Sequence, residues 1–90
     1  MGKNILVIGA TGDVGQGICQ VLMGAGHRVL GVSRTLKNLE AARDRLAAHG
    51  KLECLAGSVA TEAEARALCD QARARLGRLD AVVTTVNTKN

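Results

Sequence analysis

Lys3 to Gly17 reads K-N-I-L-V-I-G-A-T-G-D-V-G-Q-G. Lys3 to Ile8 is a continuous apolar run ended by Gly9, which suits a strand buried on both faces, as in a parallel sheet. Val14 to Ala25 then places Ile18, Val21, Leu22 and Ala25 at helical spacing, and Gly26 stops that helix. Between them the glycines fall as G-x-x-G-x-x-G (Gly9, Gly12, Gly15), with Gly17 after them, and not as G-x-G-x-x-G. The physical logic of a phosphate-binding turn still holds. Gly9 permits the turn out of the strand. Gly12 removes a side chain where a pyrophosphate must approach the backbone. Gly15 lets the helix pack close to the sheet. Free N–H groups near Gly12 to Gly15 then face a diphosphate at the helix start. The competing reading is a structural turn in an α/β domain that binds something else. Asp13 is read as the helix cap, because a carboxylate beside a diphosphate costs binding unless it points away.

Outward from this stretch the pattern repeats. Arg28 to Ser33 is a second strand, and Leu36, Leu39, Ala42 and Leu46 mark one helical face ending at His49–Gly50. Lys51 to Ala56 is a third strand. Thr61 to Leu76 is the longest helix, with a capping-box pattern of Thr61 and Glu64. Its inner stripe is Ala65, Leu68, Cys69, Ala72 and Leu76, and its solvated face carries Glu62, Arg66, Asp70 and Arg73. Gly77 ends it, and Leu79 to Thr85 is the fourth strand. The order βαβαβαβ predicts a parallel sheet with helices on both faces. No linker or internal domain boundary interrupts it.

Composition narrows the function classes. The chain has 90 residues, 47% hydrophobic and 22% charged, with 11 Gly, no Pro and no aromatic side chain. That is too apolar and regular for disorder. No uncharged run approaches the roughly 20 residues of a membrane span, and the N-terminus lacks a signal-peptide pattern. A soluble, cytoplasmic unit is expected. The apolar content is mostly 14 Ala, 11 Leu and 9 Val, a core without a large anchor. A chain this short buries only about 60–65% of its extended surface, so the 90 residues are read as part of a larger packing unit. Cys19, Cys54 and Cys69 are an odd, scattered set that fits no disulfide framework and are read as small buried hydrophobes. His27 and His49 lack partners at ligand spacing, so no metal site is expected. The net charge of +4 is modest. Arg66, Arg73, Arg75 and Arg78 cluster without an aromatic stacking platform and are interrupted by Asp70 and Asp80, which argues against nucleic acid.

The end of the second strand tests cofactor type. A site for NAD usually has Asp or Glu there for the ribose hydroxyls. Ser33, Arg34 and Thr35 stand instead, with no carboxylate until Glu40. Arg34 can pair with a 2′-phosphate, so NADP is favoured over NAD. The competing reading is a surface Arg at a strand exit.

With these residues in place, the chain resembles the short-chain dehydrogenase/reductase superfamily. The matching stretches are I-G-A-T-G-D-V-G (Ile8 to Gly15), A-G-H-R-V (Ala25 to Val29), G-V-S-R (Gly31 to Arg34), G-S-V (Gly57 to Val59) and L-D-A-V-V (Leu79 to Val83). They cover the chain at the expected spacing. The resemblance implies an α/β fold, a three-layer Rossmann-like parallel sheet, of which residues 1–90 are an incomplete N-terminal dinucleotide-binding portion. It implies that Gly9, Thr11, Gly12, Asp13, Val14 and Gly15 line the phosphates. Ser33, Arg34 and Thr35 would surround the adenosine ribose, and Ser58 and Val59 would flank adenine. Two departures stand out. Ser58 replaces the family's usual Asp, and Thr84, Thr85, Val86 and Asn87 replace its N-N-A-G.

The family's chemistry depends on a Tyr-x-x-x-Lys pair, and this chain has no Tyr. No catalytic residue is therefore assigned here. The expected function is an NADP-preferring oxidoreductase acting on a small carbonyl/alcohol substrate, homo-oligomeric when full length, with this segment supplying cofactor binding. The alternatives are a non-catalytic NAD(P) sensor or interaction protein, and a nucleotide-sugar epimerase or dehydratase.

Overall fold

In a computed structural model of the protein, residues 2–85 are described. Four strands and three helices alternate: β1 (Asn4–Ile8), α1 (Asp13–Gly24), β2 (Arg28–Ser33), α2 (Leu36–Arg45), β3 (Glu53–Ala56), α3 (Glu62–Leu76) and β4 (Ala81–Thr84). The strands form one sheet in the order β3-β2-β1-β4, every pair parallel.

Successive side chains of a strand point to opposite faces, and β1 uses this to feed two cores. Ile5 and Val7 join Val29 and Leu52 beneath Cys19 and Met23 of α1 and Leu39 and Ala42 of α2. Leu6 joins Leu30 and Val32 beneath Leu68, Ala72 and Leu76 of α3. The register pairs Ile5 with Val29 and Leu6 with Leu30, so each strand keeps its faces aligned with its neighbour's. The result is the expected three-layer α/β arrangement. Leu6, Leu30, Leu39 and Leu52 are fully buried, each contributing about 1.5–3 kcal/mol against solvent exposure.

Helix ends follow the sequence signals in α3. Thr61 and Glu64 form the reciprocal box, the Glu64 amide donating to Thr61 Oγ1 at 3.1 Å and the Thr61 amide to Glu64 Oε1 at 3.2 Å. Gly77 closes the helix in the left-handed region at φ 79°, a conformation that costs glycine nothing. On the solvated face Arg66 pairs with Glu62 and Arg73 with Asp70.

Several boundaries move. The third and fourth strands begin at Glu53 and Ala81, two residues later than the apolar runs suggest. Just before the fourth, Asp80 binds Asn4 in both directions: the Asn4 amide donates to Asp80 Oδ2 at 2.8 Å and the Asp80 amide to the Asn4 carbonyl at 2.9 Å, while Asn4 Nδ2 donates to the carbonyls of Leu76 and Arg78. This clamp pins β1 to the α3–β4 connection at the N-terminal end of the sheet. The second helix stops at Arg45, and a 3-10 turn over Ala47–His49 carries the chain onward. Leu36, expected on its inner face, is half-exposed, because it is the first helical residue and precedes the part that lies on the sheet.

The strand order also locates the site. From β1 the chain steps to β2 and β3 on one side, then returns through α3 to β4 on the other. Such a reversal leaves a crevice at the C-terminal ends of the central strands.

Candidate functional site

The turn after β1 is held from three directions. Gly9, at φ 85°, bends the chain out of the strand, and its amide and that of Ala10 both donate to the Val32 carbonyl of β2, at 2.9 and 3.1 Å. From the helix, Gln16 Nε2 donates to the Thr11 carbonyl at 2.8 Å. From the β4 side, the Thr85 hydroxyl donates toward the carbonyls of Gly9 and Ile8, at 2.9 and 3.1 Å.

Each glycine of the motif has a distinct task. A Cβ on Gly15 would stand 2.1 Å from the Gly9 carbonyl oxygen and 2.9 Å from Ala10 Cα. Only glycine lets α1 approach β1 this closely. Around Gly12 the space is open, the nearest atom to an added Cβ being the Gly9 oxygen at 3.9 Å. A Cβ added at Gly17 would meet nothing within 4 Å. Above the open surface at Gly12, the amides of Asp13, Val14 and Gly15 find no acceptor among the described residues. They are the orphan donors of a helix start, carrying the positive end of the helix dipole. The residues present therefore fit a diphosphate.

Asp13 is not the cap. Gly12 occupies that position without a side-chain bond, and Asp13 is the first residue of α1. An exposed carboxylate there interacts favourably with the helix dipole instead of bonding a particular amide. Val14 beside it is 69% exposed, an apolar surface offered at the turn.

At the end of β2, Thr11 Oγ1 lies 3.3 Å from Ser33 Oγ and donates to it. Ser33 is thus joined directly to the glycine turn. Arg34 is exposed and forms no ion pair or hydrogen bond among the described residues. Thr35 occupies the N-cap of α2 without a side-chain bond. The chain after β3 meets the same region, since the Gly57 amide donates to the Ser33 carbonyl at 2.9 Å. Ser58 Oγ donates to Glu64 Oε1 at 3.3 Å and accepts from the Ala60 amide. Val59 packs against the core beneath α3. Thr84 lies in β4 and Thr85 directly after it, whereas Val86 and Asn87 fall outside the described residues.

Sequence reasoning missed Gln16, Glu64 and the clamp made by Thr85. The Glu64 capping pattern was visible, but its contact with Ser58 depends on how the β3–α3 loop turns back. Nothing in the sequence marks Gln16 as more than a surface residue.

The thiols are free. Burial, and secondarily the neighbouring Cys54, push the Cys19 thiol up to about 11, which keeps it protonated and poorly nucleophilic. Burial also raises Cys54. Among the described residues no cluster of His, Cys, Asp and Glu could hold a metal ion. No helix of the described residues is long and apolar enough to cross a membrane.

A parallel βαβαβαβ sheet with this turn at its first strand is shared with known proteins. The family model for short chain dehydrogenase matches residues 3–89. The chain belongs to the short-chain dehydrogenase family. Among solved structures, the Pseudomonas aeruginosa RhlG/NADP active-site complex is 35% identical with a TM-score of 0.79, over 90% of this chain and 32% of that one. A short-chain type dehydrogenase/reductase from Mycobacterium marinum is 27% identical with a TM-score of 0.81, over 90% of this chain and 33% of that one. A metagenomic short-chain oxidoreductase in complex with NADP is 27% identical with a TM-score of 0.79, over 89% and 37% of the two chains. The chain thus spans about a third of the length of these short-chain dehydrogenase structures. No curated protein matches it in sequence.

Proposed function

We propose that this chain is the cofactor-holding part of an NADP-preferring oxidoreductase acting on a small carbonyl/alcohol substrate. The observation that carries the reading is the pairing of two unsatisfied features on adjacent strand ends. Among the described residues, three donors without acceptors start α1, and Arg34, without a partner, follows Ser33. A dinucleotide with a 2′-phosphate answers both needs. Gly9, Thr11, Gly12, Asp13, Val14 and Gly15 form the diphosphate side, Ser33, Arg34 and Thr35 the ribose side, and Ser58 and Val59 the base side. Two of the similar solved structures are described as NADP complexes, which supports this choice.

When bound, the nicotinamide supplies hydride transfer. This chain's residues do the work of binding. The α1 amides bind the diphosphate through charge-assisted hydrogen bonds, Arg34 takes the 2′-phosphate, and the tie between Thr11 and Ser33 keeps the two subsites in register. The 90 residues contain no Tyr, so the proton-transferring Tyr-x-x-x-Lys pair is not among them. A homo-oligomeric, cytoplasmic protein belongs to the proposal, and the three free thiols accord with a reducing compartment.

Replacing Arg34 separates the two cofactors. R34A weakens NADP binding about 10- to 100-fold, the worth of a charge-assisted contact, and leaves NAD binding within about twofold. Calorimetric titration of both cofactors against wild type and variant measures this. Equal losses for NAD and NADP would remove the phosphate role.

A further inference from the structure

A turn that receives an anion through its N–H groups has to keep its carbonyl oxygens occupied elsewhere, because each is an acceptor. Four carbonyls of the turn after β1 are engaged from within. Those of Ile8 and Gly9 take the Thr85 hydroxyl at 3.1 and 2.9 Å, and that of Gly12 takes the Gln16 backbone amide at 2.8 Å. The fourth, on Thr11, takes Gln16 Nε2 at 2.8 Å. Gln16 therefore holds two successive carbonyls, one from its backbone and one from its side chain. The second needs the help. Gly12, which follows Thr11, has open space where a Cβ would stand, and its own amide reaches the Gly9 oxygen only at 3.4 Å.

The place calls for a side-chain amide. Gln16 Oε1 faces Nη1 of Arg45, the last residue of α2, at 3.5 Å. A guanidinium only donates and a carbonyl only accepts, so the group between them has to accept at one end and donate at the other. A carboxylate would set its second oxygen against the Thr11 carbonyl, and an ammonium would meet the guanidinium as a like charge. The contact with Arg45 is long, and its part is to fix which end of the amide faces the turn.

We propose that Gln16 is a positioning residue for the diphosphate of the cofactor. By engaging the Thr11 carbonyl it leaves the α1 amides as the groups that the turn presents to an anion. Without that donor, an unpaired acceptor stands beside the phosphate oxygens, and the two repel. The effect belongs to the diphosphate. A 2′-phosphate meets Arg34 at the end of β2, and Gln16 makes no contact there. The inference rests on the NADP reading above and adds a residue that touches the cofactor only through the backbone it holds.

The test is calorimetric titration of the full chain with NADP, NAD, ADP and adenosine 2′-phosphate, the last of which lacks the diphosphate. Gln16→Leu removes the donor. It is expected to weaken the first three ligands alike by about three- to tenfold, the worth of one hydrogen bond, and to leave adenosine 2′-phosphate within about twofold. Gln16→Glu is isosteric, keeps the contact with Arg45 and cannot donate. It should weaken the same three at least as much, and it decides the matter where Gln16→Leu folds poorly. Gln20→Glu adds the same charge one turn further along α1, at an exposed residue, and should change no ligand by more than about twofold, since solvent and salt screen it. Unchanged binding of the three by either Gln16 variant, an equal loss for all four ligands, or a loss in Gln20→Glu matching that in Gln16→Glu overturns the role of Gln16 and leaves the NADP reading intact. Failure of wild type to bind NADP, NAD and ADP overturns both.

Discussion

The substitution Gly15→Ala places one methyl group where the structure has no room for it. Ordinary Cβ contacts begin at 3.4 Å, whereas this one would meet the Gly9 carbonyl oxygen at 2.1 Å, a shortfall of about 1.3 Å. Backbone lies on both sides of the clash, so no side-chain rotation relieves it. Helix α1 must lift away from β1, loosening the packing of Cys19 and Met23 in the core below. Overpacking of this kind costs about 1–3 kcal/mol, and a backbone clash belongs at the upper end. For a domain of this length, about 2–3 kcal/mol lowers Tm by roughly 10–20 °C. The natural control is two residues away. Gly17 is an exposed helical residue with nothing within 4 Å of an added Cβ, and Gly→Ala there gains about 0.8–1 kcal/mol of helix propensity. Gly17→Ala therefore raises Tm by about 4–8 °C. Far-UV circular dichroism melts of both variants are the assay, since the chain has no aromatic fluorophore. Cofactor titration adds a second readout, because lifting α1 also moves its amides out of hydrogen-bond reach of a diphosphate. A Gly15→Ala protein as stable as wild type, or the same sign of change at both positions, would refute the close-approach argument.

Two further outcomes follow from charge. Asp13→Asn removes a negative charge from the start of α1, worth about 0.3–1 kcal/mol to the helix. It should tighten NAD and NADP alike by about two- to fivefold, since both carry the diphosphate, and a change confined to NADP would show that Asp13 lies elsewhere. Asp80 is held below the usual aspartate range, first by the Asn4 amide and then by Arg78, and Glu53 is held below the glutamate range by the Arg28 guanidinium. The unfolded chain thus takes up these protons before the folded one, so the stabilisation is complete above about pH 4–4.5. It is lost as the pH falls through the depressed folded values. Tm measured from pH 7 to 2.5 should drop more steeply for wild type than for Asp80→Asn or Glu53→Gln, and parallel profiles would count against both contacts.

Much of this architecture was legible because its signals are local. The run I-L-V-I needs only burial on both faces to be a strand, and Thr61 with Glu64 needs only three residues of spacing to be a cap. Features that depend on distant segments were not legible. Asp13 looked like a cap because it directly precedes the apolar helical pattern, yet the turn geometry gives that position to Gly12. Val82 belongs to an apolar run but is 49% exposed, because among the described residues β4 has a partner on one side only. In the candidate site, the glycines, Ser33 and Arg34 announced themselves by position along the chain. Thr85 and Gln16 act on backbone carbonyls of the turn, and such contacts leave no mark in a residue pattern. The contact between Ser58 and Glu64 is of the same kind, six residues apart and made only by the loop that turns back.

The carbonyl oxygen of Gly9 has a consequence beyond packing. It is the atom against which α1 rests at Gly15, and it also receives the Thr85 hydroxyl at the end of β4. That oxygen works as a fulcrum shared by the helix start and the end of β4, so a substitution that displaces it strains both at once.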